Sequence, residues 1–237
     1  MAKQNVCVVF DLDDTLYLER DYVQSGFHAV AEWCAGRLGL RDFQPQAQAL
    51  FDAGRRGDIF NAVLAQAGIS ADTGLIAEMV RVYREHVPSI ALMPDTLECL
   101  DRLAGRVHLG LLTDGPSVSQ WAKIDRLRLR DRFDSIVVTG DWGAEFSKPH
   151  LRGYRSLESR MDACRGRFVY VADNPGKDFI APKELGWGAI RVRRPGGLHE
   201  NVDGPGHLAG FEVSNLEPVP GLLAEIFATR FEEPIAQ

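Results

Sequence analysis

The stretch "VVFDLDDTLY" (8–17) carries three aspartates within four positions, directly after an apolar run. The ionised side chains of Asp11, Asp13 and Asp14 repel one another, and carboxylates held close together raise one another's pKa. Folding alone does not favour such a cluster. We therefore expect that a bound cation neutralises these charges or that a reaction requires them.

Other polar residues stand at, or shortly after, the ends of further apolar runs. They are Thr113 and Asp114 in "LLTDG", Lys148 in "FSKPH", and Asp173 and Asp178 in "ADNPGKD". In open α/β sheets, ligands bind outside the carboxyl ends of the strands. We therefore expect these side chains to converge with Asp11 and Asp13 at one edge of a sheet.

The residue types in this set favour magnesium-assisted phosphoryl transfer. Carboxylates from two strands suit Mg²⁺, which prefers hard oxygen ligands in octahedral geometry. A hydroxyl, backbone N–H groups and an ammonium provide donors for the oxygens of a phosphate. One aspartate would attack phosphorus and form an aspartyl-phosphate. A second, two residues on, would protonate the leaving oxygen and later activate water.

Five short apolar runs, with helical spacing between them, predict the elements that position these residues. The runs are "VCVVF" (6–10), "VHLGLLT" (107–113), "SIVVTG" (135–140), "RFVYVAD" (167–173) and "GAIRVRR" (188–194). Runs this apolar indicate strands buried on both faces, as in a parallel sheet. The alternation predicts an α/β fold with a Rossmann-like, doubly wound parallel sheet, completed by a last strand and helix within 211–227.

The interval between the first two runs contains no strand-like sequence. Its spacing predicts helices over roughly 20–38, 44–54, 58–67 and 72–86. Because this insertion begins just after the first strand ends, we expect it above the carboxyl edge of the sheet. The predicted organisation is therefore a core domain of residues 1–16 and 92–237, with an all-helical insertion of residues 17–91.

Four segments, in this order, resemble the motifs of the haloacid dehalogenase (HAD) superfamily. "DLDDTLY" is similar to the first motif, D-x-D-x-T, "LLTDG" to the second, "SKP" to the third and "ADNPGKD" to the fourth. The fourth motif usually begins with Gly-Asp, and Ala172 stands here in place of the glycine. The resemblance spans nearly the whole chain and implies the phosphatase branch in which a helical cap follows the first motif.

The resemblance also implies roles for the acidic residues. Asp11 would be the nucleophile and Asp13 the general acid/base. Mg²⁺ would bind the Asp11 carboxylate, the Asp13 backbone carbonyl and Asp173. Asp178 would orient the water shell of the metal ion or bind it through water.

For the phosphoryl group, the resemblance implies binding by Thr113, by the backbone around Asp114 and by Lys148. The charge of Lys148 would offset that of Asp11 and of the phosphate. Three further residues receive structural interpretations: Asp14 stabilises the turn after the first strand, and His199 and His207 are exposed in a Gly/Pro-rich loop.

Composition narrows the partners and the compartment. The net charge of -6 gives no reason to expect nucleic acid. No stretch approaches the roughly 20 apolar residues that a membrane helix needs. The four cysteines are scattered without a C-x-x-C pair, which favours reduced thiols in a cytoplasmic protein. We expect a small phosphorylated metabolite as the partner, and the sequence leaves the oligomeric state open.

Several rival functions remain at this stage. A 2-haloacid dehalogenase needs neither a metal nor an acid two residues after the nucleophile, so Asp13 and Asp173 speak against it. The motifs do not exclude a phosphomutase. A phosphonatase needs a cap lysine, and residues 17–91 contain none. A phospho-receiver or binding module, which is the non-catalytic alternative, lacks the large helical insertion.

Overall fold

The computed structural model describes residues 3–164, 166–204 and 209–230, so the predicted loop residue His207 lies outside the described residues. These residues form a six-stranded sheet of β1 (Cys7–Phe10), β2 (His108–Thr113), β3 (Ser135–Val138), β4 (Phe168–Ala172), β5 (Gly188–Val192) and β6 (Phe211–Val213). The strand order is β3-β2-β1-β4-β5-β6, and every neighbouring pair is parallel. The predicted α/β fold with a parallel sheet is confirmed.

Helices occupy the intervals between the strands. Their ranges are α1 (Glu19–Leu38), α2 (Phe43–Asp52), α3 (Ile59–Gln66), α4 (Thr73–Glu85), α5 (Pro94–Leu103), α6 (Ser117–Arg126), α7 (Leu151–Arg160), α8 (Ile180–Glu184) and α9 (Val219–Arg230). Short 3₁₀ turns lie at Thr139–Asp141, Ala144–Phe146 and Asp162–Cys164. None of the helices in the described part of the chain has the length and apolar character of a membrane-spanning segment.

The local sequence explains where α5 begins and which face it buries. Pro94 occupies the first turn, where a missing N–H leaves no helical hydrogen bond unmade, and Asp95 adds a negative charge at the positive end of the helix. Cys99, Leu100 and Leu103 are buried at a spacing of three or four residues. The helix therefore buries one apolar stripe.

The chain divides into two compact units, one formed by Arg20–Ile90 and the other by Met1–Glu19 together with Ala91–Gln237. The first unit contains nearly all of α1 and the whole of α2, α3 and α4, close to the helix ranges that the sequence predicts. Its interior is aromatic, because the Phe27 ring lies 6.1 Å from Phe51, 6.4 Å from Phe60 and 6.0 Å from Tyr83. This unit has a core of its own.

Aromatic packing in the second unit supports the strand that precedes Asp173. The Tyr154 ring on α7 contacts Tyr170 of β4 edge-on at 5.4 Å, and Trp187 stacks on Phe168 at 4.5 Å. All four side chains are fully buried. Trp187 also donates its Nε1–H to Glu158 of α7 at 2.9 Å. β4 is therefore held rigidly between α7 and the chain that leads into β5.

Candidate active site

The carboxyl ends of β3, β2, β1 and β4 are neighbours in the sheet, so the residues that follow them meet at one edge. Asp11 follows β1 in the middle of this row, and its N–H donates to Val171 of β4 at 2.9 Å. The Lys148 ammonium, from the segment after β3, lies 2.8 Å from Asp11 Oδ1 and 2.8 Å from Asp178 Oδ1. Residues more than 130 positions apart in sequence thus share one ion-pair network.

Asp11, Asp173 and Asp178 form a buried carboxylate cluster. Each offers an oxygen, and these oxygens lie within 4.8 Å of one another. Burial raises the pKa of Asp11 to about 8, and the nearby Asp178 carboxylate acts in the same direction. Three hard oxygen donors at this spacing suit a divalent cation, whose charge would offset the repulsion. The donor set therefore fits a metal ion of the magnesium class.

Lys148 is an ammonium enclosed by protein. Burial alone would lower its pKa, yet the charges of Asp11 and Asp178 hold that pKa well above the ordinary value. Its Nζ also donates to the Tyr170 hydroxyl at 3.0 Å. Lys148 therefore places a fixed positive charge directly against Asp11.

Thr113 and Asp114, at the end of β2, differ in what their side chains contact. The Thr113 hydroxyl is buried and has no hydrogen-bond partner in the described part of the chain, so it is available to a ligand. The Asp114 carboxylate accepts from Thr139 Oγ1 at 2.8 Å, Lys148 N at 3.1 Å and Lys177 Nζ at 2.8 Å. Asp114 therefore ties the neighbouring loops together with its side chain.

Asp13 is surrounded by donors. Its Oδ1 accepts from Lys123 Nζ at 2.7 Å and from the Tyr17 hydroxyl, and its Oδ2 accepts from Gln120 Nε2 at 3.0 Å. Burial would raise the pKa of Asp13, but the Lys123 charge and these hydrogen bonds outweigh it, and the pKa is lowered. Asp13 is thus held as a carboxylate.

The residues around Asp13 were not predicted from the sequence. Lys123 and Gln120 lie three positions apart on α6, which places them on the same face, just after the second motif. That spacing was the one available signal. Gly115 makes the arrangement feasible, since its φ is +127° and a Cβ there would lie 2.6 Å from Gln120 Nε2.

Asp14 stabilises more than the turn that the sequence predicts. Its backbone is left-handed, with φ 52°, and its Oδ1 accepts from Glu19 N at 2.8 Å. Its Oδ2 accepts from Leu198 N at 2.7 Å, in the loop that follows β5. Both oxygens are therefore used to connect the first motif with a segment far away in sequence.

His199 differs from the expectation of an exposed loop histidine. Its imidazole is half-buried, and Nδ1 lies 2.8 Å from Asp173 Oδ2. No motif marks this residue, and the contact depends on how the loop after β5 folds back. Sequence reasoning placed His199 in the correct loop and missed its partner.

The chain is similar to known proteins over most of its length. Residues 8–192 match the family model described as haloacid dehalogenase-like hydrolase. The chain belongs to this family. The predicted HAD superfamily membership is confirmed, and the protein is a hydrolase of the HAD-like class.

Two relatives of this HAD-like hydrolase are named glyceraldehyde 3-phosphate phosphatase. The protein from Methanocaldococcus jannaschii is 31% identical over 199 residues, covering 78% of this chain and 83% of the relative. The one from Methanothermobacter thermautotrophicus is 27% identical over 197 residues, covering 78% and 84%. A crystal structure of 2-haloacid dehalogenase from Pseudomonas syringae has a TM-score of 0.63 at 24% identity, covering 95% of this chain and 99% of that one. At this identity the structural likeness shows the fold alone.

Proposed function

We propose that the protein is a Mg²⁺-dependent phosphatase that hydrolyses phosphate monoesters of small metabolites through an aspartyl-phosphate on Asp11. The observation that carries this proposal is the contact of Asp11 with both a fixed ammonium and a carboxylate cluster. Asp11 pairs with Lys148 at 2.8 Å and shares its cluster with Asp173 and Asp178. A nucleophile next to a phosphate-binding cation and a metal site is what phosphoryl transfer requires.

In the first step, a carboxylate oxygen of Asp11 attacks phosphorus, and the bond from phosphorus to the ester oxygen breaks. Lys148 and the Thr113 hydroxyl, which has no partner among the described residues, would bind phosphoryl oxygens as the charge on them redistributes. The departing oxygen takes a proton from Asp13. When bound, Mg²⁺ supplies positive charge that offsets the carboxylates and the phosphate.

In the second step, water attacks the phosphorus of the aspartyl-phosphate and gives a proton to Asp13. Asp11 is regenerated and inorganic phosphate leaves. Lys123 holds Asp13 ionised, which is the form that accepts this proton. For the first step Asp13 must carry a proton, and the negative charge of a bound phosphate would raise its pKa toward that form.

The names of the two curated relatives favour a phosphorylated three-carbon aldehyde or a similar small sugar phosphate as the substrate. Asp13 and Asp173 favour phosphate chemistry over the dehalogenase alternative. We also propose that the compact unit Arg20–Ile90 is the helical cap predicted for residues 17–91. Phosphomutase and non-catalytic alternatives are distinguished by experiment.

The test is phosphate release from a panel of phosphorylated metabolites, including glyceraldehyde 3-phosphate, with Mg²⁺ and with excess EDTA. We expect Mg²⁺-dependent release that Asp11→Asn lowers by more than about a hundredfold, because the covalent steps act as a unit. Asp125→Asn serves as the matched control, since Asp125 forms an exposed ion pair with Arg130. Retention of more than about a hundredth of the wild-type rate in Asp11→Asn would remove Asp11 from the nucleophile role.

Each rival function has its own outcome in this test. A phosphomutase would return an isomeric phosphate ester and release little inorganic phosphate. A dehalogenase would release chloride from 2-chloropropionate in EDTA. A receiver or binding module would turn over none of these compounds.

A further inference from the structure

The loop after β5 delivers one side chain to the carboxylate cluster. His199 Nδ1 lies 2.8 Å from Asp173 Oδ2, although the matched family region ends at residue 192. The Asp173 side chain is 7% exposed, so this imidazole covers one of its oxygens inside a nearly closed environment. His199 is therefore a feature of this chain that the family match does not cover.

Arg191 holds both partners of this contact in place. Its buried guanidinium donates from Nε to the Asp173 carbonyl at 3.3 Å, and from NH2 to the carbonyls of His199 at 3.2 Å and Val202 at 2.5 Å. The same side chain thus binds the backbone at the metal-binding end of β4 and the backbone of the loop. A half-buried imidazole with a backbone held in this way has little freedom to move away.

A second tie fixes the residue before His199. Leu198 N donates to Asp14 Oδ2 at 2.7 Å, which joins the loop to the turn that follows β1. Asp14, Asp173 and His199 also have ligand atoms close enough to suggest a second metal site. Both Asp14 oxygens already accept backbone N–H groups, so we interpret this trio as a structural connection.

The contact has a consequence for how Asp173 can bind a cation. With Nδ1–H of His199 donating to Oδ2, the other oxygen, Oδ1, is the one left for a metal ion. Mg²⁺ takes six ligands at 2.0–2.1 Å and accepts carboxylates through single oxygens, whereas Ca²⁺ takes six to eight at longer distances and accepts them through both. A hydrogen bond that occupies one oxygen therefore favours the smaller ion.

We propose that His199 is a positioning residue that keeps Asp173 a single-oxygen ligand and so favours Mg²⁺ over Ca²⁺. This inference rests on the proposed magnesium-dependent function of the Asp11, Asp173 and Asp178 cluster. It concerns a residue that acts through Asp173 and leaves the chemical steps unchanged. Loss of an outer partner of a metal ligand typically changes metal affinity by about 10–100-fold.

The experiment is calorimetric titration of the full-length protein with Mg²⁺ alone and with Ca²⁺ alone, without substrate. The variants are His199→Leu, which removes the donor, and His199→Asn, whose side-chain amide reaches a position near that of Nδ1 and keeps a donor. We expect the ratio of Kd for Ca²⁺ to Kd for Mg²⁺ to fall about tenfold or more in His199→Leu. The ratio in His199→Asn should stay within about threefold of the wild type, since a donor to Oδ2 is retained.

His28→Ala is the matched control, because His28 is an exposed histidine on α1, in the other unit. Circular dichroism melting verifies that each variant is folded, and His199→Ala replaces His199→Leu if the latter does not fold. An unchanged metal ratio in a folded variant without the donor would overturn the role of His199. A wild type that binds neither ion and hydrolyses no phosphate ester would instead refute the proposed function. The two failures are therefore distinguishable.

Discussion

Asp11 and Asp13 stand two residues apart on one loop, but their surroundings are opposite. Asp11 lies among the carboxylates of Asp173 and Asp178, with Lys148 as its close cation, and burial raises its pKa to about 8. Asp13 lies among donors, and its pKa is lowered because the charge and hydrogen bonds of Lys123 outweigh burial. Identical side chains on one turn therefore have different proton affinities.

This difference shows which charge the protein balances by itself. The protein supplies Asp13 with a cation and two further donors, whereas Asp11 remains in a region of net negative charge. A divalent cation next to Asp11 would complete the balance there, and Asp13 needs none for its side chain. Environments that push the pKa values of two like groups apart are a recurrent way to give them separate catalytic roles.

The largest effect is expected in Asp13→Asn, whose rate should depend strongly on the leaving group of the phosphate ester. General acid–base catalysis contributes about 10²–10⁴-fold, so turnover of an alkyl phosphate should fall by that factor. The nitrophenolate of an aryl ester such as p-nitrophenyl phosphate leaves without a proton, so this ester should still phosphorylate Asp11. Rapid mixing should therefore show one equivalent of nitrophenol followed by a stalled phosphoenzyme.

Asp11→Asn is the matching variant for this measurement and should show neither burst nor turnover. A missing burst in Asp13→Asn, with both esters slowed equally, would contradict the comparison. Asp13 would then be a structural residue, and the acid/base would have to be another group.

A smaller effect is expected when the cation of Asp13 is removed. Lys123→Met leaves Asp13 hydrogen-bonded to Tyr17 and Gln120 but removes the ammonium that pairs with it. The Lys123 side chain is 4% exposed, so this ion pair is buried. Breaking a buried ion pair from one side destabilises a fold by about 3–5 kcal/mol, which urea unfolding would measure. Hydrolysis of the phosphoenzyme, the step in which ionised Asp13 takes a proton from water, should slow about tenfold, the loss expected for one charged hydrogen bond.

Lys183→Met is the control for this prediction, because Lys183 is an exposed lysine on α8. Equal stability of Lys123→Met and wild type would mean that the hydrogen bonds from Tyr17 and Gln120 alone balance Asp13.

The smallest effect concerns the melting temperature in EDTA. Relative to the wild type, Asp11→Asn and Asp13→Asn should shift it in opposite directions. The folded-state pKa of Asp11, about 8, exceeds its unfolded value of about 3.9, so ionising Asp11 lowers stability as the pH rises from 4 to 8. Asp11→Asn should therefore melt higher than wild type at pH 9, with a smaller difference at pH 5. Each kcal/mol corresponds to about 2–4 °C in a chain of this size.

Asp13 gives the opposite sign. Its folded-state pKa lies below the unfolded value, so its ionised form adds stability that is present above about pH 4 and is lost as the pH falls further. Asp13→Asn should melt lower than wild type throughout pH 5–9. Two shifts of the same sign would show that the surroundings of Asp11 and Asp13 do not differ in net charge balance.

The sequence was sufficient to predict the elements and the residues at the strand ends. Helical spacing fills the intervals between apolar runs such as "VCVVF", and this alternation indicates that the runs are buried strands. The observed β1 lies within that run. Thr113 ends one strand of the sheet, and Asp11, Lys148 and Asp173 come after others, so their convergence follows from parallel strands that all end at one edge. Side-chain packing was not needed to predict it.

Contacts between residues that are distant in sequence account for what sequence reasoning missed. Lys123 reaches Asp13, His199 reaches Asp173, and Asp14 reaches Leu198, each across a gap that no periodic pattern records. The strand order β3-β2-β1-β4-β5-β6 was likewise absent from the predictions. Such pairings depend on the three-dimensional course of α6 and of the loop after β5, which propensity does not specify.

The central position of β1 has a consequence for the synthesis of the protein. Cys7 of β1 pairs with His108 on one side and with Phe168 on the other, so β1 is synthesised well before either of its neighbours. The unit Arg20–Ile90 is complete in sequence before either partner strand. Long-range strand pairing is slow because the intervening loop must close first. We therefore expect the helical unit to acquire structure early, and Asp11 to meet Asp173 and Asp178 only when translation has passed the fourth motif.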